Sequence, residues 1–498
     1  MPVRPNRAAL AASLLAGALL LSGCFAGSPG TGTADRLSVG MAFQPAAEMS
    51  PYSDDAVLLS KLGVTETLTA LDPDGTPRPA LAESWEQIDP DTLRMTLRPG
   101  VVFHDGTPLT AEHAGAALNH AAAATTPPRA LKGVELSAAA TGERTLDVST
   151  TKPDPILAQR LTAPGLAILA PSAYREDPTA PAPVRAATGP YVLDSVQGAT
   201  SATLSANREY WGGAPKASGV DARFIADGAS RAKALRAGEV DIIDTVPVSQ
   251  LPTITGHQVL DFPLPRLVSA HLNTRKGTLA DPALRAAARD AVHPAQITAG
   301  VYAGQADAAK GLFGPASTWA AEPPAQQHGT APATPQGQPL RIATYDERPE
   351  LPEIASVVAE NLRSAGFTVE NVVVQEYSTL ESEMLRGDYD VVIGTRSYAV
   401  DTGDPVGYLS TDWTCGGSYN LSMLCDPALD AAVAEAGAAD AEQRKQAAVR
   451  IASQVLAHDA VIPLAHERTR IGVAPGVQGV AQDSFDRRLI TAETAPGA

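Results

Sequence analysis

The stretch "VVFHDGTPLTAEHA", Val101 to Ala114, sets His104 beside Asp105 and follows them with Gly106. An imidazole next to a carboxylate can ligate a metal or form half of a catalytic relay. A metal-dependent hydrolase of this type needs further His and Asp ligands before and after the pair. His113 and His120 lie seven apart and so share a helix face, but no carboxylate pattern accompanies them. A turn explains the pair better. Asp105 can accept N–H groups of its own turn, Gly106 can supply a left-handed residue, and Thr110 can cap the helix that follows. No GxSxG, no HExxH and no clustered ligand set occurs in the chain. The expectation is a protein with no catalytic residue, no metal and no cofactor.

The three cysteines are Cys24, Cys415 and Cys425. Cys24 closes "LSGC", after Arg4, Arg7 and an apolar run from Ala8 to Leu21 that is too short to span a bilayer comfortably. The arrangement resembles the lipobox of bacterial lipoproteins, in which the cysteine is acylated. An ordinary export signal with a chance cysteine is the alternative. On the first reading, residues 1–23 are a lipoprotein signal peptide and 24–36 a flexible Gly/Ser/Thr/Pro tether. Cys415 and Cys425 then remain as an even pair. In an exported protein this reads as a disulfide that stabilises by about 2–3 kcal/mol; a metal site there would lack further ligands.

The elements that must position any site are legible from period and caps. "DTLRMTLRPGVVF" alternates, with Leu93, Met95 and Leu97 on one face, as a half-buried strand ending at Phe103. "TLDVST" and "ATLSAN" are further strands. Asp281-Pro282, Asp426-Pro427 and Asp440 with Gln443 open helices, and Gly366 closes one. Strand–helix alternation predicts α/β lobes with mixed sheets. "ALRAGEVDII" (234–243) and "MLRGDYDVVIG" (384–394) share a plan of helix, glycine turn and strand. The segment 321–339 is rich in Pro, Gln and Gly and reads as a surface loop. A net charge of −17 excludes nucleic acid as a partner, because phosphates would repel it.

Residues 75–121, "GTPRPALAESWEQIDPDTLRMTLRPGVVFHDGTPLTAEHAGAALNHA", resemble the signature of the family 5 extracellular solute-binding proteins, the peptide- and nickel-type binding subunits of ABC importers. "ATGPYVLDSV", "NREYWGGAP", "LRAGEVDII", the helix region 270–306 and "RKQAAVRIASQVLAHDAVIPL" continue the likeness in order. It departs at His113, where Asp is usual, and at 321–339, where a helix is usual.

The resemblance implies a two-lobed periplasmic-binding-protein-like clamshell of type II, in the large peptide-binding class. Residues 37–268 would form the first lobe with an inserted subdomain, 269–466 the second, and 467–498 the return. It implies capture without chemistry: an oligopeptide is buried in the cleft and delivered to a permease, by a monomer held to the extracytoplasmic face of the cell membrane through lipid. A metal chelate, an opine, a sugar or a sensory role are alternatives within that fold; a secreted metal-dependent hydrolase is the alternative outside it. In "DTGDP" the resemblance marks Asp401 as the carboxylate that pairs with the ligand amine, unless it only caps a turn. Trp413, Tyr419 and Asn420, in a glycine-containing loop, are candidate cleft residues, with a core role as the alternative for Trp413. Trp85 and Trp211 are expected to pack. Arg396 could meet a ligand carboxylate.

Overall fold

The computed structural model describes residues 35–320, 329–346, 348, 350–399 and 402–497. Its frame is an eleven-stranded mixed sheet. Two long antiparallel strands, Gln258–Leu272 and Val461–Val473, form the middle. Outward from Val461–Val473 come Ile242–Ile243, Arg36–Met41, Gly219–Phe224, Ser201–Ala206 and Tyr191–Gln197. Outward from Gln258–Leu272 come Val391–Ser397, Ile342–Tyr345 and Val372–Gln375.

The two middle strands join two hydrophobic cores. Phe262, Ile471 and Val473 belong to the first, with Leu37, Val39 and Leu204. Val268, Leu464 and Ala465 belong to the second, with Ile342, Val358 and Ile393. The molecule is therefore two-lobed, and the chain passes between lobes inside continuous strands, not in loops. A third cluster holds the helices Pro405–Trp413, Pro427–Gly437 and Ala441–Ala457. Leu71 and Phe485, from the first-lobe side, also enter it.

The alternating segment forms Thr92–Leu97, with Leu93, Met95 and Leu97 buried. It lies in a four-stranded antiparallel sheet covered by the helix Ala111–Ala123. The strand ends at Leu97, not at Phe103 as expected. Pro99 offers no N–H and Gly100 turns at φ +73°, so only the bridge Val102–Pro108 remains beyond it. Asp105 Oδ1 accepts the Thr107 N–H at 2.9 Å, Gly106 has φ +86°, and Thr110 accepts the His113 N–H at 3.2 Å. His104 Nε2 meets the Gly189 carbonyl at 2.9 Å. The His–Asp pair is thus a turn that docks one loop on another. Among the described residues no three His, Cys, Asp or Glu side chains gather to hold a metal ion, and no helix is long and apolar enough to cross a membrane.

The caps fall where the sequence puts them. Asp281, Asp426 and Asp440 each accept a backbone N–H from the first turn of their helices. Gly238 and Gly387, in the two look-alike stretches, both turn at φ +69° before a strand.

Candidate functional site

Val391–Ser397 and Val372–Gln375 both run parallel to Ile342–Tyr345. In open α/β sheets the crevice outside the carboxyl ends of such strands is where ligands sit. A cleft of about 950 Å³ opens between the lobes at the carboxyl end of Val391–Ser397. Arg129, residues 132–135 and 150–156 and Arg160 line it from the first lobe; Arg396–Tyr398, Thr402 and stretches of 404–444 line it from the second.

Several charged lining groups are neutralised in place. Arg160 pairs with Asp154 at 2.6 Å. Arg444 pairs with Asp404, and both are buried. Asp404 also caps the helix Pro405–Trp413, accepting the N–H groups of Val406 and Gly407. Arg396 pairs with the buried Asp412 at 2.8 and 3.2 Å. Burial works against its charge, but the Asp412 carboxylate outweighs that and raises its pKa. Its guanidinium carbon lies 4.7 Å from the Tyr419 ring centre, a cation–π contact.

Beside the cleft strand Val391–Ser397, charged groups gather where the two crossing strands pass. Arg266 stands across the ladder from the lining residue Ser397. Arg266 and Arg348 each approach Glu467 at 3.5 Å, and Tyr302 donates to the same carboxylate at 3.2 Å. Two guanidiniums share this carboxylate, and the Asp486 carboxylate also favours the Arg266 charge. Burial lowers the pKa of Arg266, and repulsion from Arg348 adds to the effect. Tyr345 and Tyr377 stand edge-to-face nearby, their ring centres 5.2 Å apart. Across the hinge, the buried Lys61 lies between Asp244 at 3.0 Å and Asp486 at 2.6 Å. Burial opposes the Lys61 charge, and the two carboxylates more than reverse it.

The candidate residues separate on this geometry. Trp413 is a core residue: its exposure is 0 %, it stacks on His271 at 5.3 Å, and it meets Tyr408 edge-on. Its place as the last residue of a helix turns it inward, so it is not a cleft wall. Asn420 is also spent internally. Its Nδ2 donates to the carbonyls of Thr414 and Leu424 at 2.9 and 2.6 Å, and its Oδ1 accepts from Ser422 Oγ and the Leu424 N–H. Tyr419 packs against the second core and is the member of the trio that supports a lining residue, Arg396, from behind. Cys415 and Cys425 are joined in a disulfide, beside the lining residues Thr414, Gly416 and Gly417. Asp401 and Cys24 lie outside the described residues. Trp211 packs under Arg98 and donates to the half-buried Glu66, and Trp85 packs against the first core.

Sequence reasoning missed Arg266, Arg348 and Glu467. The available signal was an arginine set between apolar residues in "PLPRLVSAHL", where a buried strand should carry none.

The family described as bacterial extracellular solute-binding proteins, family 5 (middle region), matches residues 76–420. The chain is 26% identical over 383 residues to the nickel-binding protein NikA of Staphylococcus aureus, covering 72% of this chain and 73% of that protein. It is 26% identical over 348 residues to the probable D,D-dipeptide-binding periplasmic protein DdpA of Escherichia coli, covering 66% and 67%. Among solved structures, the nickel ABC transporter protein of Bacillus halodurans superposes with a TM-score of 0.78 at 23% identity, over 93% of this chain and all of that one. A Pseudoalteromonas dipeptide-binding protein in complex with Met-Leu superposes with a TM-score of 0.74 at 18% identity, over the same shares.

Proposed function

The chain belongs to family 5 of the bacterial extracellular solute-binding proteins, and from that premise we propose that it captures short peptides and hands them to an ABC permease. Family membership gives the coarse function, a substrate-binding protein of the peptide or nickel type. The finer reading concerns the solute. One observation carries it: Arg266 and Arg348 converge on the carboxylate of Glu467 beside the cleft strand Val391–Ser397. A pair of guanidiniums suits a ligand carboxylate, and arginine's planar fork suits it in geometry. Tyr398 and Tyr408, which line the cleft, supply apolar faces for a peptide backbone and side chain. Asp401 is the proposed partner of the ligand amine; the residues flanking it in sequence, Tyr398 and Thr402, line the cleft.

Capture needs no bond to change. Ligand contacts to both lobes favour the closed arrangement by their difference in affinity for the two states, and closure follows from that difference. Acylation of Cys24 is the proposed tether, holding a monomer at the membrane beside its permease.

The names of relatives favour a second reading, an anionic metal chelate. Nickel binding is stated for NikA of Staphylococcus aureus, and the two arginines would also receive a chelator's carboxylates. Titration calorimetry with di- and tripeptides against nickel–histidine separates the two. Peptide binding that is lost in Asp401→Ala supports the first reading. Binding of the chelate alone would replace it. Retention of a Cys24→Ser chain in membranes would remove the lipid tether.

A further inference from the structure

The cleft-lining strand of the second lobe is held from the first by the C-terminal tail. Arg487 donates from Nη1 to Thr162 O and Oγ1, both at 3.0 Å, and from Nη2 to the Ala399 carbonyl at 3.0 Å. Thr162 lies between Leu161 and Ala163 of the first core. Ala399 belongs to the second lobe's helical cluster and follows the lining residues Ser397 and Tyr398. Arg487 is buried.

The tail that carries it is itself fixed. Asp483 accepts the N–H groups of Phe485 and Arg487 at 3.1 and 3.2 Å. Phe485 and Leu71 pack into the cluster of Tyr398 and Ala399. A side chain on Gly403 would meet Leu71 at 3.2 Å and Phe485 at 3.4 Å, so the segment just beyond the strand is closely seated on the same two residues. Leu267, at the hinge, is in that cluster too.

We propose that Arg487 is a positioning residue for ligand capture. One guanidinium serves carbonyls on both lobes. Separating Thr162 from Ala399 must break part of the fork and leave a buried carbonyl without a donor, which is costly. Arg487 therefore sets the distance between the cleft walls and biases the protein toward the closed arrangement before ligand arrives. This raises affinity, because less of the closure has to be driven by the ligand. The effect on affinity rests on the reading of the protein as a peptide-capturing clamshell; the effect on lobe separation does not.

The test compares the full mature chain with Arg487→Ala and Arg487→Lys. Lys presents a compact ammonium in place of the fork. Small-angle scattering of the unliganded proteins should show R487A expanded relative to the parent, with R487K between. Calorimetry and stopped-flow with a peptide that the parent binds should show at least tenfold weaker binding in R487A, mostly through faster dissociation. A fall in melting temperature with unchanged dimensions and affinity would make Arg487 merely structural and overturn the proposal. If the parent binds no peptide, the functional reading fails, and the scattering comparison still decides the role of Arg487. If R487A does not fold, R487K and R487Q carry the same comparison.

Discussion

Arg266 and Glu467 meet at 3.5 Å in the stretch where the two crossing strands lose register. Pro263 faces Arg468 and Leu267 faces His466, so three residues of the outgoing strand answer one of the return. Pro263 and Pro265 offer no N–H to the ladder, and the strand bulges instead of pairing. The bulge turns Arg266 toward Glu467, where Arg348 adds the second guanidinium. Arg348→Gln should then weaken a free-acid peptide by about 1.5–3 kcal/mol, the loss expected for a charge-assisted hydrogen bond. A C-terminally amidated peptide should bind the variant and the parent alike. Equal losses for both peptides, by calorimetry, would show that Arg348 does not read a carboxylate.

Two buried histidines set an acid limit. His271 is pushed down to about 3 by burial, with help from the Arg396 charge. His466 falls to about 4 through burial, against the opposing pull of Asp307. Both values lie below the ordinary 6.5, so the neutral rings contribute stability above that pH and lose it as pH falls. By about pH 5 each ring should have cost about 2 kcal/mol relative to neutral pH. Denaturant midpoints measured at the two pH values should differ less in His271→Asn than in the parent. An identical pH dependence would place the acid sensitivity elsewhere.

The Cys415–Cys425 bridge closes a ten-residue separation beside the cleft wall. Replacing both cysteines with serine should cost about 2–3 kcal/mol if the bridge acts by constraining the unfolded chain. Peptide affinity should also fall, because Thr414, Gly416 and Gly417 would be less fixed before binding. Affinity equal to that of the parent would confine the bridge to stability.

What the sequence announces here is local. Asp281, Asp426, Asp440 and Thr110 declare helix starts because a cap needs only its own first turn. The alternation of Leu93, Met95 and Leu97 declares one buried face of one sheet. The charge cluster at the crossing strands joins Arg266, Arg348 and Glu467 from three distant stretches, and no local pattern foretells such a meeting. Asn420 shows the reverse failure. An amide in a glycine-containing loop reads as available, yet the loop folds back so tightly that four hydrogen bonds use it up.

Trp413, the last residue of its helix, and Tyr419, six residues beyond it, divide into packing and binding. Trp413 is fully enclosed against His271 and Tyr408, so Trp413→Ala should cost about 3–5 kcal/mol of stability, the range for truncating a buried aromatic. It touches the cleft wall from behind, through Tyr408, so the folded fraction should keep most of the parent's affinity for peptide. Tyr419 lies under Arg396, whose guanidinium borders the cleft. Tyr419→Ala removes that platform while Asp412 still holds the other edge of the guanidinium. Affinity should drop about tenfold, near the upper end for a partly desolvated cation–π contact, with a smaller change in stability. Chemical denaturation and calorimetry on the two variants measure both quantities. The reverse pattern, with affinity lost at Trp413 and kept at Tyr419, would put the binding wall on the far side of the helix Pro405–Trp413.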